Sequence, residues 1–152
     1  MRMRWRVPPP LLVLVGAAGA WVAARAWPAP TLLLPGQRAL GVVLIVAGVI
    51  ANVAPKRHFR RAGTTVNPLQ PHRASALVQS GLHRHSRNPM YVGHALMLLG
   101  WLLWLGHPAA GVALASYLLY VDRVQIPREE AALQARFGAA YVDYCRRVRR
   151  WL

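Results

Sequence analysis

The sequence predicts an all-α integral membrane protein with about four transmembrane helices, the last two in a tight hairpin, and a C-terminal amphipathic helix at the cytosolic face. Hydrophobic residues make up 55% of the 152 residues and charged residues only 15%, which is too apolar for a soluble domain of this size. The apolar residues fall into four runs, and arginines gather at the ends of these runs. The length suits a single domain, 1–152.

The first two apolar runs predict transmembrane helices 8–26 and 39–54. The first run, "LLVLVGAAGAWVAA", follows the basic start "MRMRWR". A signal peptide with the cleavage-like "ARA" would share this pattern, but the further apolar runs favour a transmembrane helix. The second run is "ALGVVLIVAGVIANVA", and Pro55 with the basic residues behind it predicts the end of that helix.

The third and fourth runs predict helices 90–106 and 109–124. Because only "GHP" separates the two apolar cores, they form a tight antiparallel hairpin. The fourth run is short for a span of about 20 residues unless its helix continues through "DRVQI". Residues 55–89 are then a loop over the membrane surface. Residues 127–148 form the amphipathic helix, with Pro127 suited to its first turn.

The distribution of charge predicts which ends face the cytoplasm. The chain has 19 Lys and Arg against four acids, and seven of these basic residues lie in 55–89 and seven in 121–152, whereas the "GHP" turn has none. The positive-inside rule therefore places both termini and the 55–89 loop in the cytoplasm. Because the arginines flank apolar runs, we expect them to contact anionic membrane lipids and not nucleic acid.

The cysteine and histidine residues predict no metal site. Cys145 is the single cysteine, and no two of the six histidines have the four-residue helical spacing of a zinc enzyme. His94 differs from the other histidines because it lies inside the third apolar run. An ionisable side chain at that depth faces a cavity or a partner as a rule, and a hydrogen bond to a neighbouring helix is the simpler interpretation.

The helix predicted for 127–148 carries a carboxylate within its apolar stripe. At 100° per residue, Glu130 falls on one face with the apolar side chains of this segment: Leu133, Phe137, Tyr141, Tyr144 and Val148. Glu129 lies 100° away from Glu130. A buried carboxylate needs a partner, since a lone charge is costly to bury. The simpler interpretation is that Glu130 stabilises the helix N-terminus or pairs with a surface arginine.

The stretch "SRNPMYVG" opens the third helix. Asn88 and Pro89 fit the N-cap and first residue of a helix. Arg87 and Tyr91 are four residues apart and share a face if the helix extends back to Arg87. Taken alone, Arg87 also fits a snorkelling or phosphate-contacting cation, and Tyr91 fits the aromatic belt of a membrane interface.

Two stretches, "LVQSGLHRHSRNPMYVGHALMLLGWLLWLG" and "PREEAALQARFGAAYVDYCRRVRRW", together resemble the isoprenylcysteine carboxyl methyltransferase and phospholipid methyltransferase group of integral-membrane enzymes. The shared pattern is a glycine, a short basic stretch, Arg-His/Asn-Pro-x-Tyr, a helical hairpin, Glu-Glu-x-x-Leu, Phe-Gly and spaced tyrosines before a basic tail. Asn88 stands where the eukaryotic carboxyl methyltransferases have histidine. The upstream "RRAGTTVNPLQP" is in the style of bacterial members, which implies a bacterial inner membrane.

The resemblance implies S-adenosylmethionine as cofactor, bound at the cytosolic face of the membrane. Arg87 and Glu130 would be the catalytic residues, with Arg87 pairing with a carboxylate of cofactor or substrate and Glu130 holding an ammonium or hydroxyl group. The cofactor-binding residues that the resemblance implies are Arg87, Asn88, Pro89, Tyr91, Glu129, Glu130, Phe137, Tyr141 and Tyr144. The aromatic members of this set would cover the adenine.

The reaction implied by the resemblance is methyl transfer to a carboxylate, amine, hydroxyl or thiol of a small lipophilic or lipid acceptor at the membrane interface. Such a transfer depends on in-line placement of the acceptor atom more than on a strong acid or base. Apolar helices would let a lipophilic acceptor enter the site directly from the bilayer.

Two other functions stay open on the sequence. Membrane sterol-type reductases share a related C-terminal arrangement, and the "SRNPMY" box with its basic loop would suit a phosphorylated nicotinamide cofactor, NADPH. The chain is shorter than those reductases, and its acidic motif fits the methyltransferases better. The other alternative is a non-enzymatic four-helix membrane protein. A transporter would place polar groups deep in several spans, whereas the first two runs hold almost only Leu, Val, Ala and Gly.

Overall fold

The computed structural model describes residues 7–29, 31, 34–63 and 74–152, and every regular element within them is helical, which confirms the all-α prediction. The described α-helices are α1 (Pro9–Ala26), α2 (Gln37–Arg61), α3 (Pro89–Leu105), α4 (Pro108–Tyr120), α5 (Ile126–Phe137) and α6 (Ala139–Arg147). A 3₁₀ turn, Gly81–Arg84, precedes α3, and a π-helical segment, Val121–Gln125, joins α4 to α5. The arginines of the N-terminal "MRMRWR" and residues 64–73 of the expected loop lie outside the described residues.

Within the described part of the chain, two helices have the length and composition to cross a membrane. These are α1, with 18 residues, and α2, with 25, while α3 is a shorter apolar helix. Large apolar side chains cover their outer surfaces, and Leu14 and Val43, for example, are 66% and 61% exposed. Such surfaces suit lipid and not water, so the molecule is an integral membrane protein. The number of four transmembrane helices stays a prediction.

Two pairs of glycines hold α2 and α3 in close antiparallel contact. A Cβ atom on Gly48 would lie 2.5 Å from the carbonyl oxygen of Gly93, and one on Gly100 would clash with the carbonyl oxygen of Gly41. Within each helix the two glycines are seven residues apart, which is about two turns, so both lie on one face. This contact between small residues keeps the start of α3 beside the end of α2.

A buried polar chain crosses α2, α3 and α4. The Lys56 ammonium donates to the side-chain oxygen of Asn52 at 3.2 Å, so the Asn52 amide nitrogen faces His94 Nε2 at 2.9 Å. His94 Nδ1 then carries the proton and donates to the Tyr117 hydroxyl at 2.9 Å. His94 is therefore hydrogen-bonded to both neighbouring helices.

α2 differs from its predicted limits because it does not end at Pro55. The helix continues to Arg61, and Pro55 lies fully buried inside it. Transmembrane helices tolerate proline where neighbouring groups satisfy the freed backbone. The basic residues of the last turn are stabilised by the negative end of the helix dipole. Lys56 also donates a hydrogen bond to Asn52, one turn earlier. Residues 55–61 are thus helical, and the predicted loop limit of 55 is wrong.

The prediction of one C-terminal helix over 127–148 is also wrong. Gly138 separates α5 from α6 with φ 51° and ψ −126°, a conformation that only glycine adopts readily. α5 begins at Ile126 directly after the π-helical segment, so the fourth helix does continue through "DRVQI". The expected apolar stripe still forms one cluster, but it is assembled from both helices: Leu133, Phe137, Tyr141, Tyr144 and Val148.

Candidate functional site

A cleft lies where the start of α3 meets α5, α6 and the segment 74–78. It contains about 830 Å³ of space outside protein atoms, including the part that opens to solvent. The residues that line it are Phe59, Ala74, Ala76, Leu77, Val78, His83, Arg87, Asn88, Pro89, Met90, Tyr91, Glu129, Glu130, Leu133, Tyr141 and Tyr144.

The first turn of α3 is fixed by the segment 148–152 that follows α6. Asn88 occupies the N-cap and Pro89 the first helical position, as expected. The Asn88 side chain, however, does not cap the helix, and it donates to the Arg150 carbonyl oxygen at 2.9 Å. The Arg87 amide donates to the Arg149 carbonyl oxygen, also at 2.9 Å. α3 therefore does not extend back to Arg87, but the Arg87 and Tyr91 side chains still reach the same cleft.

Glu130 is shared by two arginines. Its carboxylate lies 3.3 Å from Arg87 Nη2 and 2.7 Å from Arg150 Nη2. Arg150 also reaches the Asp122 carboxylate at 3.4 Å, and that carboxylate accepts a hydrogen bond from Trp151 Nε1 at 3.0 Å. The Arg87 and Glu130 side chains are only 16% and 20% exposed, so solvent screens this pair weakly. The simpler interpretation, in which Glu130 stabilises the helix N-terminus or pairs with a surface arginine, is met in part by Arg150, and the largely buried Arg87 is its second partner.

Glu129 forms the second polar group of the cleft. The Tyr91 hydroxyl and the Gln125 amide nitrogen both donate to its Oε1 atom, at 2.5 and 2.6 Å. Burial raises the pKa of Glu129 from 4.5 to about 7, although the two hydrogen bonds lower it, and the nearby Glu130 charge raises it further. The Glu129 carboxyl group thus exchanges its proton near neutral pH.

Tyr141 and Tyr144 form an aromatic wall, and each is only 3% exposed. The Tyr144 hydroxyl donates to the His83 carbonyl oxygen at 2.9 Å, and burial raises the pKa of Tyr144 to about 12. Phe137 is absent from the cleft lining and packs behind the two tyrosines. The structure therefore brings together every predicted cofactor-binding residue except Phe137.

Three cleft or cleft-side residues had no role in the sequence prediction. His83 belongs to the basic stretch but had no motif spacing, and Phe59 lay in the segment expected to be loop. Arg150 was one of several arginines in the basic tail. Nothing in the order of those arginines indicates which one reaches Glu130, because that contact depends on the break at Gly138.

Comparison with known proteins gives a family match that covers most of the chain. The sequence model of the family described as phospholipid methyltransferase matches residues 37–140. This region contains the whole of α2 to α5 together with the Arg87 and Glu130 motifs.

Curated relatives carry related names. The chain is 29% identical to protein-S-isoprenylcysteine O-methyltransferase A of Arabidopsis thaliana, over 71% of this chain and 55% of that protein. It is 32% identical to the Mus musculus protein-S-isoprenylcysteine O-methyltransferase, over 72% of this chain and 39% of that protein. An uncharacterized protein of Haemophilus influenzae is 43% identical over 41% of this chain and its own full length. The chain thus spans about half or less of the named methyltransferases, and no solved structure gives a significant match.

Proposed function

The chain belongs to the phospholipid methyltransferase family, and from this premise we propose that it transfers a methyl group from S-adenosylmethionine to a lipophilic acceptor at the membrane interface. The observation that carries the proposal is the Arg87–Glu130 pair, 3.3 Å apart, inside a mainly apolar cleft. An amino-acid group has both a carboxylate and an ammonium. A neighbouring arginine and glutamate are the complementary pair of side chains.

The residues of the cleft fit this cofactor. Arg87 Nε is buried and has no hydrogen-bond partner among the described residues, so the guanidinium keeps a donor for a ligand carboxylate. Glu130 would hold the ammonium, and Tyr141 and Tyr144 would cover the adenine. When bound, S-adenosylmethionine supplies an electrophilic methyl group on a sulfonium.

Tyr91 and Glu129, which the resemblance includes among the cofactor-binding residues, would also contact the polar end of the methyl acceptor. The Glu129 carboxyl group titrates near pH 7 and so can take a proton from an amine, hydroxyl or thiol, while for a carboxylate acceptor it would only orient the group. The main contribution of the cleft is then alignment and the exclusion of water, which is what methyl transfer requires.

An apolar wall of the cleft suits a lipophilic acceptor. It is formed by Phe59 at the end of α2, Met90 in the first turn of α3, Leu133 of α5, and Leu77 and Val78 of the preceding segment. Since α2 and α3 are apolar over most of their length, an acceptor dissolved in the bilayer reaches this wall without crossing water. The substrate class we propose is therefore a small lipophilic molecule or lipid.

We further propose four transmembrane helices, with both termini and the cleft on the cytoplasmic side of a bacterial inner membrane. The cleft lies at the end of α2 that carries Lys56, Arg57, Arg60 and Arg61, which supports a cytoplasmic position. Cys145 is the single cysteine and lies in α6. A membrane-impermeant maleimide should label Cys145 in inside-out inner-membrane vesicles but not in right-side-out vesicles, and the opposite pattern would contradict this orientation.

The reaction is tested by incubating purified protein, S-adenosylmethionine with a tritiated methyl group, and a bacterial lipid extract. We expect tritium to pass into the organic phase with wild-type protein and not with Arg87→Ala or Glu130→Ala. Arg123→Ala is the matched control, because the Arg123 side chain is 76% exposed and outside the cleft. Equal transfer by all variants would contradict the proposed site.

A further inference from the structure

His83 is a cleft residue whose position is fixed from several directions. It belongs to the 3₁₀ turn Gly81–Arg84 and is only 5% exposed. Its ring meets Phe59 edge-on, with ring centroids 5.2 Å apart, and its carbonyl oxygen accepts the hydrogen bond from Tyr144. The backbone on one side and the aromatic ring on the other thus hold the imidazole in the lining of the cleft.

The imidazole Nδ1 atom of His83 is buried and has no hydrogen-bond partner among the residues that the structure describes. Among the described residues, Arg87 Nε is the other buried side-chain atom in this state, and Arg87 lines the same cleft. A buried polar atom without a partner is uncommon and destabilises the folded protein. The two residues that carry these atoms both line one cleft, where a bound ligand could supply the missing hydrogen bonds.

The charge state of His83 restricts the chemistry of that ligand group. Burial, and secondarily the nearby His58, lower the pKa of His83 to about 4, so the ring is neutral at physiological pH. A neutral imidazole has one donor and one acceptor nitrogen and suits an uncharged hydroxyl, amine or ring nitrogen. An anionic group would instead favour Arg87, which is always charged.

We propose that His83 is a ligand-contacting residue, and that its Nδ1 atom hydrogen-bonds an uncharged polar group in the nucleoside part of the methyl donor. The inference rests on the proposed function, in which Arg87 and Glu130 hold the amino-acid end of the same molecule. A nucleoside presents hydroxyl groups and ring nitrogens, and these are the groups that a neutral imidazole recognises. Tyr144 would then have two roles. Its hydroxyl group, which donates to the His83 carbonyl oxygen, would align the imidazole, and its ring would cover the base.

The test compares three substitutions of His83, which differ in where the new side chain carries a polar atom or in whether it carries one at all. Asn places a polar atom close to where histidine has Nδ1, Gln places it closer to Nε2, and Leu removes it. Titration of S-adenosylhomocysteine into detergent-purified protein should give a dissociation constant near the wild-type value for His83→Asn. His83→Gln and His83→Leu should each bind about tenfold more weakly, the loss expected for one hydrogen bond to a ligand.

Thermal unfolding of the ligand-free variants supplies the second measurement. Because Leu removes a buried polar atom without a partner, His83→Leu should unfold at the wild-type temperature or above it, although it binds the ligand more weakly. Equal affinity in all three variants would overturn the inference, as would a loss of affinity that parallels a loss of stability. If folded wild-type protein binds no S-adenosylhomocysteine, the proposed function fails, and this inference fails with it.

Discussion

The hydroxyl group of Tyr91, in the first turn of α3, donates a hydrogen bond to the Glu129 carboxylate of α5 across 2.5 Å. The two residues are 38 positions apart in the chain. Their contact joins the two motifs, Arg-Asn-Pro-x-Tyr and Glu-Glu-x-x-Leu, into one site. A second contact, between Arg87 and Glu130, does the same on the neighbouring side of the cleft.

Stability should depend on pH through Glu129. Its pKa is about 7 when folded and 4.5 as an ordinary carboxyl, so the folded state binds the proton more tightly. The stability from this group is therefore present below pH 4.5 and is lost as the pH rises through 7. Glu129→Gln, which can still accept the Tyr91 bond, should gain stability relative to wild type between pH 5 and 8 in thermal melts. Asp143→Asn, at an exposed carboxylate, is the control. If the difference in stability between Glu129→Gln and wild type stayed constant from pH 5 to 8, the raised pKa of Glu129 would be contradicted.

His83 should produce the opposite pH dependence. Its pKa falls from 6.5 to about 4 on folding, so its contribution is present above pH 6.5 and is lost as the pH falls towards 4. His83→Leu should therefore lose less stability than wild type when the pH is lowered from 7 to 5. If wild type and His83→Leu lost the same amount of stability between pH 7 and pH 5, the lowered pKa of His83 would be contradicted.

Arg150 should stabilise the site more than other arginines of its segment. It bonds to Glu130 and Asp122 together, which a lysine cannot reproduce with its single point charge. We expect Arg150→Ala to lower the free energy of unfolding by about 1 kcal/mol and Arg150→Lys by part of that, since the side chain is 36% exposed. Arg146→Ala removes an exposed pair with Asp143 and should have almost no effect. Equal effects of the two alanine variants, measured by denaturation, would contradict the bridging role.

The close contact between α2 and α3 should require glycine. A Cβ atom at Gly48 or Gly93 would lie 2.5 or 2.6 Å from a carbonyl oxygen of the other helix. Gly48→Ala and Gly93→Ala should each lower stability by about 1–3 kcal/mol because the backbones must separate. Gly19→Ala in α1 meets no atom within 4 Å and should be neutral or stabilising. Similar melting temperatures for all three variants would argue against the contact.

Gly138 should be required for the bend between α5 and α6. Its φ of 51° with ψ of −126° is strained for any residue with a Cβ, although the space around it is open. Gly138→Ala should cost about 1–3 kcal/mol of stability and disturb the contact between Arg150 and Glu130. A variant with wild-type stability and wild-type affinity for S-adenosylhomocysteine would show that the bend is not needed.

The sequence predicts the helical class because the apolar runs and the Asn88–Pro89 helix start are local patterns. The grouping of Arg87, Tyr91, Glu129 and Glu130 in one cleft was instead implied by the family resemblance, which rests on the order of the motifs. The helix limits are less accurate at two points. Pro55 did not end α2, since tertiary packing outweighed its local preference, and Gly138 divided a helix that the apolar period alone had continued.

The contacts that the sequence does not predict are those made across the fold. Arg150 reaches Glu130 only because α6 turns back at Gly138, and His83 is buried only because Phe59 and Tyr144 pack around it. The spacing of residues along the sequence does not distinguish Arg150 from the other arginines of the tail, or His83 from the other residues of its basic stretch. Such contacts depend on three-dimensional arrangement and leave no spacing rule in the chain.

The most direct test of the account is calorimetric titration of S-adenosylhomocysteine into detergent-purified protein, with Arg87→Ala and Glu130→Ala beside the wild type. The account predicts saturable binding by the wild type and loss of binding in both variants, because each removes one half of the charged pair. Absence of binding by folded wild-type protein would contradict it, and a positive titration with NADPH instead would indicate a reductase. Unchanged binding in both variants would remove Arg87 and Glu130 from the site.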